Sequence, residues 1–419
     1  MTELAMSEQS DLWRAARAQF PILDQEVYGR QLVYLDNAAT TQMPLCVLDA
    51  IKEHYLTANA NVHRATHELS GRSTCAFEAA RQRVAQFIGA RFPEEVIFTR
   101  GTTDSLNMLA QAFAAQRGAG FSALVSMLEH HSNFVPWQQA ALRAGGSFGV
   151  APLDERGDVD LEALERLLQE KPAGIVSVAH VSNVLGTVSP LERIVELAHG
   201  HGWLVSVDAA QSIRHERIDV AALDCDFLSF SGHKALGPTG IGVLYGKREL
   251  LQELPPVAFG GEMVDTVRVA GTTFEDVPLR FEAGTPNYVG AIGLAAALDY
   301  LESLGGEAVR EREHELVKYA EQRLEDVADV QILGSPLRRA GVVSFTVLGV
   351  HPFDIATLMD KMGVAIRAGS QCAQPLLEEV YGVSSVARIS PAFYNTFAEV
   401  DAAADALERV VRMCRMAQR

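Results

Sequence analysis

A chain of 419 residues, 48% hydrophobic, is long for one core and predicts two or three domains. Its formal charge of −17, from 53 acidic and 36 basic residues with no run of Lys or Arg, argues against a nucleic-acid partner, whose affinity rests on basic clusters. No stretch approaches ~18 continuous apolar residues, so no membrane span is expected.

The first residues, MTELAMSEQSDLWRAARAQF, carry acids early and read as an N-terminal helical segment over 1–30 rather than a secretory signal. From there to about residue 290, apolar strand-like runs alternate with helical patterns. "EVIFT" precedes a helix beginning near Thr103. "SALVSM" precedes one near Phe134 to Ala144, and "GIVSVAH" precedes one starting near Leu191. "WLVSVDAAQ", "FLSFSGHK" and "GVLYG" follow. Short apolar strands separated by helices predict a mainly parallel sheet covered on both faces, so residues 31–290 are assigned to one large α/β domain. Within it, Gly260 to Asp276 is rich in Gly and Thr and alternates around "TVRVA", which predicts an exposed hairpin or lid.

Beyond residue 290 come two long amphipathic helical patterns, expected to join the domains. "VVSFTVL", a helix near Pro352 to Met362, "GVAIRAG", "SVARISP" and a closing helix from Glu399 follow. Residues 291–419 are therefore assigned to a smaller α+β domain. The five cysteines, Cys46, Cys75, Cys225, Cys372 and Cys414, are scattered and form no CxxC pair. That pattern disfavours a disulfide framework or a structural zinc and fits a reducing cytoplasm. Cys372 stands apart: "AIRAGSQCAQPLL" places it on a small, polar, Gly-containing turn, five residues after Arg367.

The chemistry concentrates in "FSGHKALGPTGIG". Lys234 by itself reads as a surface lysine at a strand end. Ser231 and His233 flank its turn as hydrogen-bond donors, and the glycines permit close backbone approach to a ligand. Upstream, Asp208 ends an apolar strand in "VSVDAAQ", where a parallel α/β sheet places ligand groups. As a lone residue it also admits the plainer reading of a helix N-cap. Buried, however, a carboxylate is costly without a cationic partner. Pyridoxal phosphate requires a Schiff-base lysine, an acid against its ring nitrogen and donors for its phosphate, and Lys234, Asp208 and Ser231/His233 supply that set. "RGTTDSLN" opens a predicted helix with backbone N–H groups and Thr hydroxyls suited to a phosphate, or to an ordinary cap. In "LEHHSN" the adjacent histidines are poorly placed to share a metal, and one imidazole stacked on a flat ring is the favoured reading.

Taken together, "YLDNAAT", "NVHR", "RGTT", "EHH", "HVSNVLGT", "VDAAQ", "FSGHKALGPTGIG", "FEAGTPN", "RAGSQCAQP" and "ARISPAFYNT" resemble, in order, the cysteine desulfurases of the aminotransferase class V family. These are fold-type I pyridoxal-phosphate enzymes, and the likeness is greatest to the Suf-type, or group II, branch. The resemblance implies that Lys234 carries the cofactor's Schiff base and moves protons. Asp208 would hold the pyridine nitrogen, Gln211 the phenolic oxygen, and His130 would stack on the ring with Asn183 near the same face. Thr102 or Thr103, Ser231 and His233 would bind the phosphate. Thr285 would reach the phosphate of a neighbouring subunit, which implies a homodimer. Arg388 would hold the substrate carboxylate, and Arg367, His63 and Arg64 would line the pocket.

Cys372 would take sulfur from L-cysteine as a persulfide, leaving L-alanine, and pass it to an acceptor protein in iron–sulfur cluster assembly. Two departures bear on this. Ser370 and Gln371 stand where relatives often carry histidines, and the cysteine turn is the short form, which implies dependence on a dedicated acceptor. The nearest rivals are a class V aminotransferase, which has no use for Cys372, and a selenocysteine lyase, since selenium leaves more easily than sulfur from the same intermediate. A non-catalytic partner in iron–sulfur biogenesis is disfavoured by the intact Lys234 and Asp208.

Overall fold

In the computed structural model, residues 11–417 are described. Seven strands form the central sheet: β1 (Val96–Thr99), β2 (Ser122–Ser126), β3 (Ser147–Ala151), β4 (Ile175–Ala179), β5 (Leu204–Asp208), β6 (Phe227–Ser231) and β7 (Gly242–Gly246), in the spatial order β1-β7-β6-β5-β4-β2-β3. The pairs from β3 to β6 are parallel. Strand β7 runs antiparallel to both neighbours, with Gly242 directly opposite Ser231. The connection over residues 232–241 carries no full crossover helix, so β6 and β7 pair as a wide hairpin. The Ser-Gly-His-Lys turn therefore sits in the mouth of that hairpin.

Both sheet faces are covered, and strand alternation sorts side chains between them. Ile97, Ala123, Val125, Phe227 and Leu244 pack with Leu106, Leu109, Phe113 and Trp137, which belong to helices α3 (Thr102–Arg117) and α4 (His131–Ala144). Their strand neighbours Phe98, Leu124, Leu228 and Val243 face the other way. There they join Phe77 and Val84 of α2 (Glu68–Ile88), Val47 of α1 (Leu45–Thr57) and Leu294 and Leu298 of α5 (Tyr288–Ser303).

The hairpin expected over 260–276 is present as β8 (Val264–Arg268) and β9 (Gly271–Phe274), antiparallel and solvent-exposed. A second core is built on the antiparallel strands β10 (Val330–Ile332), β11 (Val343–Val347), β12 (Arg367–Gly369) and β13 (Val386–Ile389), with helices α6 (Gly306–Glu325), α7 (Pro352–Asp360) and α8 (Phe397–Ala417).

The two cores divide the chain differently from the 31–290 and 291–419 split. Val33 and Leu35 belong to the second core, because Val33–Tyr34 pairs in parallel with Val364–Ala365. Helix α5 lies wholly in the first. Of the two long helices it is α6 that joins the two, with Val309 in one core and Leu316, Val317, Ala320 and Leu324 in the other; strand β13 does the same, with Val386 in the first and Ala387 and Ile389 in the second. The helix at residues 11–17 packs at the same junction: Trp13 lies 6.0 Å from Phe393, and Phe20, just beyond it, 4.4 Å from Tyr394.

Candidate active site

The C-terminal ends of the parallel strands open on a cavity of about 230 Å³ between the two cores. Its lining includes Thr102, Thr103, His130, Asn183, Asp208, Gln211, Ser231, His233, Lys234, Arg367, Cys372 and Arg388, drawn from segments up to 286 residues apart in sequence. Thr285, His63 and Arg64 do not line it. Thr285 is exposed at the start of α5. His63 bonds Glu78 at 2.9 Å, and Arg64 pairs with Glu262 at 3.2 Å beside the β8–β9 hairpin. In this subunit Glu78 and Glu262 are thus the partners of His63 and Arg64.

At one end, α3 starts at Gly101, whose φ of +148° needs glycine. A Cβ on Gly242 would lie 2.3 Å from the Gly101 Cα, so both glycines are required for this approach. It brings the Thr102 N–H and hydroxyl each to 2.8 Å from the Ser231 Oγ, while the Thr103 hydroxyl meets Ser132 at 2.7 Å. Hydroxyls and a helix N-terminus form a donor cradle for a phosphate. His233 lines the same cavity, its Nδ1 3.3 Å from the Thr40 hydroxyl. Burial and the Lys234 charge lower its imidazole to about 4, so it is neutral at pH 7 and acts through hydrogen bonding.

At the other end, Asp208 is buried and its Oδ1 accepts from the Ala210 N–H at 2.9 Å. Burial raises its carboxyl above the usual range, against a lowering by Lys234. A carboxylate so placed calls for a cation, and a protonated pyridine nitrogen is one. Gln211 is fixed by its Nε2–H to the Ala38 carbonyl at 2.9 Å. Lys234 lies between these ends. Burial, with help from Arg388 and Arg367 and against Asp208, lowers its ammonium to about 8. Phosphate cradle, ring-nitrogen acid and a lysine of reduced basicity together fit pyridoxal phosphate.

His130 is the N-cap of α4, and its Nδ1 accepts the Ser132 N–H at 3.1 Å. Burial and the surrounding cations, Lys234 foremost, lower it to about 3. The ring is therefore neutral, with its proton on Nε2, which equips it as a hydrogen-bond donor rather than a base. Arg388 is buried, donating to Asp36 at 3.1 Å and to the Asn183 carbonyl at 2.9 Å. Burial lowers it to about 10, so it stays charged. Arg367 is half-exposed and 3.6 Å from the other Asp36 oxygen.

Cys372 is exposed, at φ +53°, with its carbonyl accepting the His131 N–H at 2.7 Å. That bond ties the cysteine turn, which follows β12 of the second sheet, to the start of α4.

Two further acids matter that the motif reading did not single out. Asp36 holds both arginines and was visible only as part of "YLDNAAT". Glu129 is fully buried, with Ser126 at 2.5 Å, Asn133 at 2.6 Å and the Ala179 N–H at 3.0 Å. It thereby ties β2, α4 and β4 together beneath His130 and Asp208. Burial first, and Asp208 last, raise its carboxyl above the usual range to about 8, against the three donors, which lower it. Its only sequence signal was an acid at a strand-to-helix turn.

The fold and this site define a pyridoxal-phosphate-dependent α/β enzyme. Residues 33–403 match the model of the aminotransferase class V family, to which the chain belongs, and its cofactor is pyridoxal 5′-phosphate. A probable cysteine desulfurase of Halalkalibacterium halodurans is 47% identical over 93% of this chain and 96% of its own length. A probable cysteine desulfurase of Vibrio cholerae is 48% identical over 95% and 98%. Among solved structures, the cysteine desulfurase CsdA of Escherichia coli superposes with a TM-score of 0.88 at 39% identity, covering 96% of this chain and 98% of that one. The apo cysteine desulfurase of Thermococcus onnurineus superposes with a TM-score of 0.89 at 38% identity, covering the same shares.

Proposed function

We propose that this chain is a cysteine desulfurase that converts L-cysteine to L-alanine and carries the sulfur as a persulfide on Cys372. One observation carries the reading: an exposed thiol is pinned at the mouth of the cavity that also holds Lys234 and Asp208. When bound, the cofactor withdraws electrons from the substrate's α-carbon and so makes the Cβ–Sγ bond breakable. The chain's own residues do the rest. Arg388 is buried and charged, and it orients the substrate carboxylate. Lys234, near neutrality in its basicity, takes and returns protons at the substrate carbons. His130 offers the Nε2 proton.

Thiolate is the nucleophilic form of Cys372. Its Sγ forms the new S–S bond as the substrate's Cβ–Sγ bond breaks. The electron pair of the broken bond and a proton end on Cβ, giving alanine, and the exposed turn presents the persulfide to an acceptor protein. Thr102, Thr103, Ser231 and His233 hold the phosphate, and Gln211 the phenolic oxygen. Thr285, remote from this subunit's cavity, serves the site of a second copy in a homodimer. Five free thiols fit a reducing cytoplasm, and iron–sulfur cluster assembly is the use proposed for the sulfur.

The test is to incubate the holoenzyme with L-cysteine and L-selenocysteine, quantifying alanine and sulfide or selenide, with and without Cys372. Alanine from both substrates, with the sulfur reaction alone dependent on Cys372, is expected. Alanine from selenocysteine only would make the chain a selenocysteine lyase. Amino transfer without sulfide would make it an aminotransferase.

A further inference from the structure

Gln371 precedes the sulfur-accepting cysteine, and both residues sit at φ +53°. Two successive non-glycine residues in the left-handed region are strained and persist only where the surroundings hold them. Here Asn183 Nδ2–H donates to the Gln371 carbonyl at 2.7 Å, His131 N–H to the Cys372 carbonyl at 2.7 Å, and Ala373 N–H to the Ser370 carbonyl at 3.0 Å. In this turn Cys372 is exposed while Gln371 is only 6% exposed and lines the cavity.

The Gln371 carboxamide is buried with both Nε2 and Oε1 lacking a partner among the described residues. A buried polar group left unpaired is costly, so a buried amide with neither bond made marks a ligand position. Two neighbours share the condition: Asn183 Oδ1 and Arg388 Nε are also buried and unpaired. The three residues are linked, because Arg388 donates to the Asn183 carbonyl and Asn183 to the Gln371 carbonyl. Their free capacity is two kinds of donor, Arg388 Nε–H and the Gln371 NH₂, and two acceptors, Asn183 Oδ1 and Gln371 Oε1. A zwitterionic amino acid with a thiol presents the complementary set: carboxylate oxygens to accept, and N–H and S–H groups to donate.

We propose that Gln371 is a substrate-binding residue whose carboxamide hydrogen-bonds the amino acid held by Arg388 and Asn183. The proposal rests on reading this cavity as an amino-acid site. An amide does not titrate, so this contact keeps one hydrogen-bonding pattern at every working pH, unlike an imidazole in its place.

The experiment compares holoenzyme carrying Gln371→Leu, which keeps the volume, and Gln371→Glu, which is isosteric but anionic. Three quantities are measured: KM and kcat for L-cysteine, the affinity for L-alanine from the cofactor's visible spectrum, and, with the cofactor stripped, the rate at which iodoacetamide alkylates Cys372 across pH. Gln371→Leu is expected to weaken L-alanine and raise KM on the order of tenfold, with kcat and the alkylation profile unchanged. Gln371→Glu is expected to weaken both further at neutral pH, through repulsion of the substrate carboxylate, and to recover on acidification. If Gln371→Leu fails to fold, the isosteric Gln371→Glu decides alone. Unchanged alanine affinity in a folded variant overturns the proposal. So does a change confined to alkylation, which would make Gln371 a thiol-tuning residue. If wild type releases no alanine from L-cysteine but the variants still lose L-alanine affinity, the desulfurase reading fails and the role of Gln371 stands.

Discussion

Lys234 shows how a single side chain acquires its chemistry from its surroundings. A solvated lysine is fully protonated at neutral pH. Burial in the β6–β7 turn beside Arg388 and Arg367 brings it down to about 8, within reach of proton exchange. Lys234→Ala is expected to lower alanine release by on the order of 10³-fold or more. Borohydride reduction of wild-type holoenzyme followed by peptide mapping checks the assignment, since the fixed cofactor belongs on the peptide spanning 230–246. Cys372→Ser separates sulfur transfer from the rest. Lys234, Asp208 and His130 are untouched, so cofactor binding and the early spectral response to L-cysteine are expected to survive, while persulfide, read by mass spectrometry, disappears. A persulfide on Cys225 or Cys75 with full turnover would refute the assignment; buried Cys225, whose thiol is raised to about 12, is a poor nucleophile. Lys234 and Cys372 were legible in the sequence because strand-end and turn positions imply access. Gln371 and Glu129 were not, because their meaning lies in burial against segments remote in the chain.

At the scale of elements, the site depends on how α6 is anchored across the two cores. Glu313, fully buried in α6, accepts from Arg214 at 2.8 and 2.9 Å, from His215 at 2.8 Å and from the Phe393 N–H at 3.0 Å. These bonds tie the bridging helix to the segment after Asp208 and to the loop before α8. Despite opposing burial, Arg214 and His215 lower this carboxyl from 4.5 to about 2. A carboxyl depressed on folding stabilises the native state fully above its unfolded value. That contribution is therefore complete above about pH 4.5 and lost as pH falls through about 2. Glu313→Gln, leaving Arg214 buried without its counter-charge, is expected to cost about 3–5 kcal/mol in denaturant unfolding at neutral pH, with the deficit shrinking in acid. An unchanged midpoint would show that α6 is held by packing alone. The helix was plain from its periodicity and, with α5, was expected to join the domains, but which residues would face which core was not legible. Val309 and Leu316 are both apolar positions on one amphipathic stripe, and nothing local says that they face different partners.

For the whole molecule, the telling feature is what lies outside the cavity. The β8–β9 hairpin, with Val267 and Val269 exposed, and Thr285 at the start of α5 lie on the surface, though the resemblance places Thr285 at a cofactor phosphate. A homodimer reconciles the two. Thr285→Ala is then expected to weaken cofactor retention on dialysis by on the order of tenfold, the worth of one hydrogen bond to a charged group, without lowering the subunit's thermal stability in the apo form. Sedimentation is expected to give a dimer, and a fully active monomer would refute the shared site. No helix among the described residues is long and apolar enough to cross a membrane.

What the sequence by itself determined is whatever depends on short-range order. Strand alternation, helix periodicity and the composition of turns marked the α/β layers, the exposed hairpin, the strand-end Asp208, the Lys234 turn and the reachable Cys372. Tertiary structure alone decided the rest. It set β7 antiparallel, moved Val33 and Leu35 into the second core, paired His63 and Arg64 with Glu78 and Glu262, turned Gln371 inward and buried Glu129 where β2, α4 and β4 meet. Each of these is a contact or a desolvation between segments far apart in the chain. The free energy of such a pairing depends on which partner arrives, and local pattern does not specify that partner.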